Sequence, residues 1–591
     1  MSVVNNITSL RRLMLEKGID AYLIYGTDPH LSEYVPAAWR SREWISGFTG
    51  SYGKVAISQS RASLWTDSRY FIQAEMQLSG TEIEMIKDRQ ADTISVDSWM
   101  GKELKSGSVV ATDGLTISAA EANALEQKLN ANGITLELNV DLVSPIWEKR
   151  PIISQAPVYD FPVRYAGRSR AEKLAEIRNQ LIKHEAGATL ICQLDDVAWT
   201  FNLRGKDISY NPLFTSYGYI DEQQAILFIN DGKVPEGLRL DMEREGVRVI
   251  NYESIYSFLE QIDSLTFYLD PERTNSLIYR IVTKRLKVID GLSIPTLLKS
   301  VKNEVENEGM RNAHIRDGVA IVNFLFWFDQ NFGKEKITEL TVGAKLKEFR
   351  SGEDLFMGES FSSLVAFGSH GAIVHYSATS ETVYEVLPDG ILLFDTGGHY
   401  LDGTSDITRT ISTGEVTPQQ QLDFTLVLKG TIQLAMAVFP ENTKGYSLDS
   451  FARKALWSNG LNYGHGTGHG VGHFLCVHEG PMSIRQEYNS EPIREGQVLT
   501  DEPGLYRTGE YGIRTENVMV CQEKYKSDFG RFLSFDTLTL CPVDRKLINR
   551  QLLTEEELNW LNTYHARVYT ELGSRLDTEV LQWLKTQCVP I

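Results

Sequence analysis

Residues 391–412, ILLFDTGGHYLDGTSDITRTIS, constrain this chain more than any other stretch. Two apolar or β-branched runs flank Gly397-Gly398 and Asp402-Gly403, the pattern of a hairpin. Asp395 follows directly on the apolar run Ile391–Phe394, where a solvated charge does not belong. Asp406 reads as part of the second strand, with Thr408 and Thr410 on its own face by period-two alternation. The two acids are eleven residues apart (406 − 395), yet a hairpin brings their carboxylates together. Carboxylates that close repel each other unless a proton or a cation lies between them. Asp402, in the turn, reads as an ordinary surface acid.

Residues 498–520, VLTDEPGLYRTGEYGIRTENVMV, repeat the device. Glu502 precedes a Pro-Gly turn and Glu516 enters the closing run Val518–Val520, fourteen residues later (516 − 502). Between the two hairpins lies YGHGTGHGVGH, residues 463–473, with five glycines in eleven residues. A regular helix is excluded there, and the glycines let the backbone pass close to a ligand. No GK[ST] follows, so a phosphate cradle is a weak reading. His465, His469, His473 and His478 put four of the chain's 11 histidines within fourteen residues, a density that points to a site rather than to packing. Four carboxylates and one imidazole, with no cysteine, suit hard or borderline cations such as Mn²⁺, with Zn²⁺, Co²⁺ or Fe²⁺ as alternatives. Two ions balance that charge better than one, and a pair of ions can activate water and polarise a carbonyl, as in aminopeptidases.

The remainder sets the frame. A length of 591 residues allows about three to four domains. A net charge of -19 argues against a general nucleic-acid binder. The polar stretch Met1–Asp20, a helix around Leu10, Leu13 and Met14, lacks the apolar core of a secretory signal. No run approaches the ~18 apolar residues of a membrane span. Five cysteines far apart, with no CxxC pair, read as reduced thiols. A cytoplasmic protein is expected. Ala21–Tyr25, Lys54–Ile57 and Ala62–Trp65 read as strands after the first helix. Beyond the Pro-containing stretch Arg150–Val163, a charged helix (Arg168–Lys183) leads into Ala188–Cys192 and Val197–Leu203. The second series shows the same order of helix, strand, loop and strand, which predicts a duplicated α/β unit. A strong helix, Glu304–Phe328, opens the last domain. In its tail Thr554–Glu557 supply an N-cap and capping box ahead of the apolar stripe Trp560, Leu561 and Tyr564.

With these segments in place, the chain resembles the M24 pita-bread metallopeptidases, and specifically the long three-domain Xaa-Pro aminopeptidases (aminopeptidase P). The resemblance rests on GAIVHY (371–376), LLFDTGGHYLDGTSDITRT (392–410), GHGTGHGVGHFLCVHEGP (464–481), TDEPGLY (500–506) and GIRTENV (512–518). SGFTGSYG (46–53), WTDSRYF (65–71), WTFNLRG (199–205) and EGMRNAHIRDGVA (308–320) extend it nearly end to end. It implies two creatinase-like α/β domains, 1–155 and 156–302, and a pita-bread catalytic domain, 303–591, with a helical extension from about 545. It implies that Asp395, Asp406, His469, Glu502 and Glu516 bind two divalent ions, Mn²⁺ first with Zn²⁺ or Co²⁺ as alternatives. Asp406 and Glu516 would bridge the ions, and Glu502 would also orient or deprotonate the nucleophilic water. His375, His465 and His478 match histidines that contact the scissile carbonyl and the proline pocket. Arg69 matches an arginine that contacts peptide across a homodimer interface, and Arg514 joins the substrate side and braces the acids. The implied reaction is release of the first residue from peptides with proline second. Three departures, His370 for asparagine, the extra His473 and Thr515 for an apolar residue, remove no ligand, and the two histidines read as supporting or incidental. The rival readings are a prolidase acting on Xaa-Pro dipeptides, against which the long chain argues, and a ligand-depleted binding module, against which the intact set argues. A creatinase-like relative would not keep all five ligands.

Overall fold

The computed structural model describes residues 2–591, so Met1 lies outside the described residues. The chain divides into two units: Met1–Val163 with Arg168–Leu297, and Arg164–Gly167 with Leu298–Ile591. The first unit holds two six-stranded mixed sheets. In the first sheet Ala21–Tyr25 is central, antiparallel to Lys54–Ser58 and parallel to Val109–Thr112. In the second sheet Ala188–Ile191 is central, antiparallel to Ser216–Asp221 and parallel to Thr266–Leu269. Numbered within each sheet, both have the strand order 4-3-2-1-5-6, and every pair runs in the same direction. The duplicated unit is therefore present. The two halves are pinned together by Asn275, whose amide donates to Pro29 O at 2.8 Å, and by Ser276, whose hydroxyl donates to Gly114 O at 2.9 Å.

One strand reading fails. Most of Val197–Leu203 belongs to a helix, Leu194–Thr200, and only Leu203–Arg204 forms a short strand, paired with Tyr159–Asp160. Val197 to Thr200 are all buried, and an apolar run buried on every side carries no period that separates strand from helix. Asp195 and Asp196 occupy the first turn, where acids complement the helix dipole. Asp196 also accepts the hydroxyls of Ser293 and Thr296, both at 2.6 Å.

The second unit begins with helix α1 (Glu304–Asn331), opened by a capping box between Asn303 and Glu306 and one turn longer than its apolar pattern suggested. Strands β1 (Leu364–Phe367), β2 (Ile391–Thr396) and β3 (Ile407–Ser412) form a three-stranded sheet. Phe324 and Phe328 of α1 pack on Leu392 and Phe394 of β2. Helices α2 (Pro418–Ala435) and α3 (Gly445–Trp457) follow. They approach so closely that a Cβ at Gly430 would overlap the Ala452 carbonyl. Next come β4 (Gly468–Gly470), β5 (Glu479–Ile484), β6 (Val498–Asp501), β7 (Gly504–Arg507), β8 (Tyr511–Arg514), β9 (Asn517–Ser527) and β10 (Gly530–Thr537). A six-stranded sheet runs in the order Val438–Pro440, β10, β9, β6, β4, β5. Leu434 of α2 and Leu448 and Ala452 of α3 pack with Leu499 and Met519 of that sheet. Helix α4 (Glu555–Leu572) starts on the Thr554–Glu557 capping box read from the sequence. Cys192, Cys521 and Cys541 are buried, Cys476 and Cys588 half-buried, and all five are free thiols. Among the described residues no helix is long and apolar enough to cross a membrane.

Candidate metal centre

Both acid-bearing segments fold as antiparallel strand pairs, each enclosing a smaller pair. Asp395 on β2 lies opposite Thr408 on β3. The intervening residues pair separately, Gly398–Tyr400 with Gly403–Thr404. Asp406 stands one residue before β3 rather than within it. Asp501 at the end of β6 faces Asn517 at the start of β9, with the β7–β8 hairpin between them. Glu502 and Glu516 therefore flank the same rung from inside. The segments meet at Thr408: its carbonyl accepts the Glu516 amide at 3.0 Å, and its hydroxyl donates to Glu516 Oε2 at 2.8 Å. The glycine-rich loop delivers His469 on β4. A Cβ at Gly468 would overlap the Thr500 carbonyl of β6, so glycine permits the approach that puts His469 beside Glu502.

Asp406, His469 and Glu516 bring ligand atoms within 4.8 Å of one another. His469 Nε2 lies 3.6 Å from Asp406 Oδ2 and 3.8 Å from Glu502 Oε1. Its Nδ1 is 2.9 Å from Gly470 O. A carbonyl only accepts, so Nδ1 carries a hydrogen, and Nε2 is the ring nitrogen turned toward the two carboxylates. Carboxylates gathered round an imidazole nitrogen at that spacing call for positive charge among them, a proton or a metal ion. Asp395 Oδ1 and Asp406 Oδ1 are buried and have no hydrogen-bond partner, which is costly for carboxylate oxygens. A divalent metal fits this donor set. The field agrees: burial, then Glu516, Asp395 and Glu502, hold the Asp406 carboxyl well above the usual range, and Arg514 opposes them. Burial and Asp395 push Glu516 up to about 8, against the pull of Arg514, Thr408 and His478.

Arg514 is buried and binds Asp395 Oδ2 through Nη2 at 2.6 Å. Its Nε donates to the Thr408 hydroxyl at 3.1 Å and its Nη1 to the Tyr506 hydroxyl at 2.7 Å. Tyr506 O–H lies 2.8 Å from His465 Nε2, while His465 Nδ1 meets Gly466 O at 2.7 Å. Tyr506 thus joins His465 to the acids, a link that spacing alone did not reveal although Tyr506 lies inside TDEPGLY. His478 stacks edge-on against His469, with ring centroids 4.3 Å apart. His375 is half-buried, in the segment whose Val374 carbonyl lies 3.5 Å from Arg514 Nη1. His370 meets Glu339 Oε1 at 2.8 Å and stacks on Tyr384 and Tyr376. Glu339, missed from sequence, also accepts the Phe367 and Tyr384 amides and so anchors the loop that carries His375. His473 is buried against Gly309 of α1. Thr515 is buried as well. The surface reading of Asp402 is overturned: it is buried and ion-paired with Arg316 of α1, because the turn folds back under that helix. Arg69 belongs to the first unit, where Asp67 holds its Nη2 at 2.8 Å and the rings of Tyr70 and Tyr52 flank its guanidinium.

Residues 308–523 match metallopeptidase family M24, and residues 531–591 match the C-terminal region of peptidase M24. Residues 6–142 and 149–306 each match the creatinase/prolidase N-terminal domain. Over 610 residues the chain is 37% identical to a probable Xaa-Pro aminopeptidase P from Laccaria bicolor, covering 100% of this chain and 94% of the relative. It is 38% identical to a probable Xaa-Pro aminopeptidase P from Blastomyces gilchristii, covering 99% and 98%. A crystal structure of X-prolyl aminopeptidase from Caenorhabditis elegans, described as a cytosolic enzyme with a di-nuclear active site, superposes with a TM-score of 0.96. Its identity is 36%, with 100% of each chain covered. The chain belongs to metallopeptidase family M24. Within it, two creatinase-like α/β domains precede a pita-bread peptidase domain, the organisation of the aminopeptidase P proteins.

Proposed function

We infer that this chain is a dinuclear-metal aminopeptidase that hydrolyses the N-terminal Xaa-Pro bond and releases the first residue. The observation that carries this is His469 Nε2 turned on Asp406 and Glu502 beside the buried Oδ1 atoms of Asp395 and Asp406, which have no hydrogen-bond partner. Asp395, Asp406, His469, Glu502 and Glu516 would hold the ions, with Asp406 and Glu516 shared between them. Bound there, divalent ions acidify a water and polarise the scissile carbonyl. Mn²⁺ suits the carboxylate-rich set.

The chain's own groups do the rest. Glu502 takes the proton of the attacking water and passes it to the leaving proline nitrogen. That nitrogen bears no hydrogen in the substrate and its ring fixes φ, so recognition falls to ring shape and to the carbonyl. His375 and His478 offer flat faces to the ring and donor nitrogens to the carbonyl oxygen, whereas His465, with its nitrogens engaged by Gly466 O and the Tyr506 hydroxyl, offers its ring face. Arg514 keeps Asp395 turned inward, which supports its assignment to the substrate-side shell. Arg69 would reach peptide from a partner subunit of a homodimer. Domain limits at 155/156 and 302/303 and a cytoplasmic location complete the proposal; free thiols and the cytosolic relative support the location.

The test compares Xaa-Pro-Yaa, Xaa-Ala-Yaa and the Xaa-Pro dipeptide, with and without Mn²⁺. Preference for the first is expected. Strong preference for the dipeptide would make the enzyme a prolidase, and equal cleavage of the alanine peptide would remove the proline pocket.

A further inference from the structure

The loop that carries His465 and leads into His469 is too rich in glycine to hold its own shape. One ion pair inside α3 holds it instead. Asp449 and Arg453, one helical turn apart, meet at 2.6 Å and are each 1% exposed. Arg453 directs its remaining nitrogens at the loop: Nη1 donates to Tyr463 O and Nη2 to His465 O, both at 2.7 Å. Its guanidinium carbon sits 3.8 Å from the centre of the Tyr463 ring. Asp449 Oδ1 accepts the Thr467 hydroxyl at 2.5 Å, and the Thr467 carbonyl accepts the Glu502 amide at 2.7 Å. The pair therefore grips the loop at 463, 465 and 467, on both sides of the His465 side chain, and reaches the Glu502 backbone through one residue. A buried ion pair adds little net stability over an apolar replacement. Its planar fork, however, fixes two carbonyls at set angles to each other, which the freely rotating donors of a single ammonium do not.

We propose that Asp449 and Arg453 are positioning residues for the peptidase reaction, setting the place of His465 directly and that of Glu502 through Thr467. The proposal rests on the function inferred above, and one arm of its test is independent of it. Arg453→Ala and Arg453→Lys are purified with metal, and turnover of Xaa-Pro-Yaa, metal content and hydrogen exchange over residues 462–470 are measured. A misplacement of about 1 Å costs on the order of 10²-fold in rate, so R453A is expected to lose about that much kcat while retaining its metal. Free guanidinium should restore part of the R453A rate and none of the R453K rate. Loop amides should exchange faster in both variants. A folded R453A or R453K with wild-type kcat, or unchanged loop exchange, overturns the proposal; so does a variant that only melts earlier. R453K, which keeps the charge against Asp449, carries the test if R453A does not fold. A wild type inactive on Xaa-Pro-Yaa sinks the inferred reaction, and loop exchange still decides the clamp.

Discussion

At the scale of single residues, the five candidate ligands differ in what holds them. Asp395 is tied to Arg514 and Glu516 to Thr408, whereas Asp406 has only its neighbours' charge. Because Asp406 and Glu516 would be shared between the ions, Asp406→Ala or Glu516→Ala should lose both metals, or nearly so. His478→Ala should keep them and lose turnover. Elemental analysis decides, and metal lost from H478A but kept by His469→Ala would reassign the imidazole. The same electrostatics predict a pH dependence. In metal-free protein Glu516 keeps its proton up to about 8, while the unfolded chain releases it near 4.5. Between those values the folded state binds more protons than the unfolded state, so its stability falls as pH rises. Thermal melts in chelator should show that fall and added Mn²⁺ should abolish it; stability rising across the window would mean the acids are not strained.

Among elements, the site is two strand pairs and a glycine loop pressed together, and steric room matters more than local propensity. Gly468→Ala would drive a methyl into the Thr500 carbonyl, so it should displace β4 and lower metal content. Thr554→Ala makes a useful contrast. It breaks the α4 capping box and should cost about 1 kcal/mol, seen as a lower melting temperature with metal content and kcat per folded molecule unchanged. Loss of metal in T554A would tie α4 to the centre more directly than its packing implies.

For the whole molecule, the two-sheet unit and the catalytic unit carry different halves of the proposed chemistry: Arg69 in one, the acids and histidines in the other. Arg69→Ala is expected to raise KM for longer peptides and leave metal content unchanged. Light scattering should give a dimer, and a fully active monomer would end the cross-subunit role of Arg69. The duplicated sheets need no common function, since identical strand order and direction follow from the same pattern of apolar runs and crossovers used twice.

Much of this was legible in the sequence because the signals are local. Acids set beside apolar strand patterns, glycines at alternate positions and a capping box each act within a few residues, so spacing alone predicted paired carboxylates, a non-helical histidine loop and helix α4. What the tertiary structure decided depends on neighbours remote in sequence. Val197–Thr200 became helix because burial on all sides erased the period that would tell strand from helix. Asp402 was drawn inside by Arg316, 86 residues away (402 − 316). The links from Tyr506 to His465 and from Arg453 to the loop exist only once α3 and the β7–β8 hairpin have packed around it. Residue types and local periods are written in the chain; which buried polar group answers which is settled only when desolvation forces every such group to find a partner.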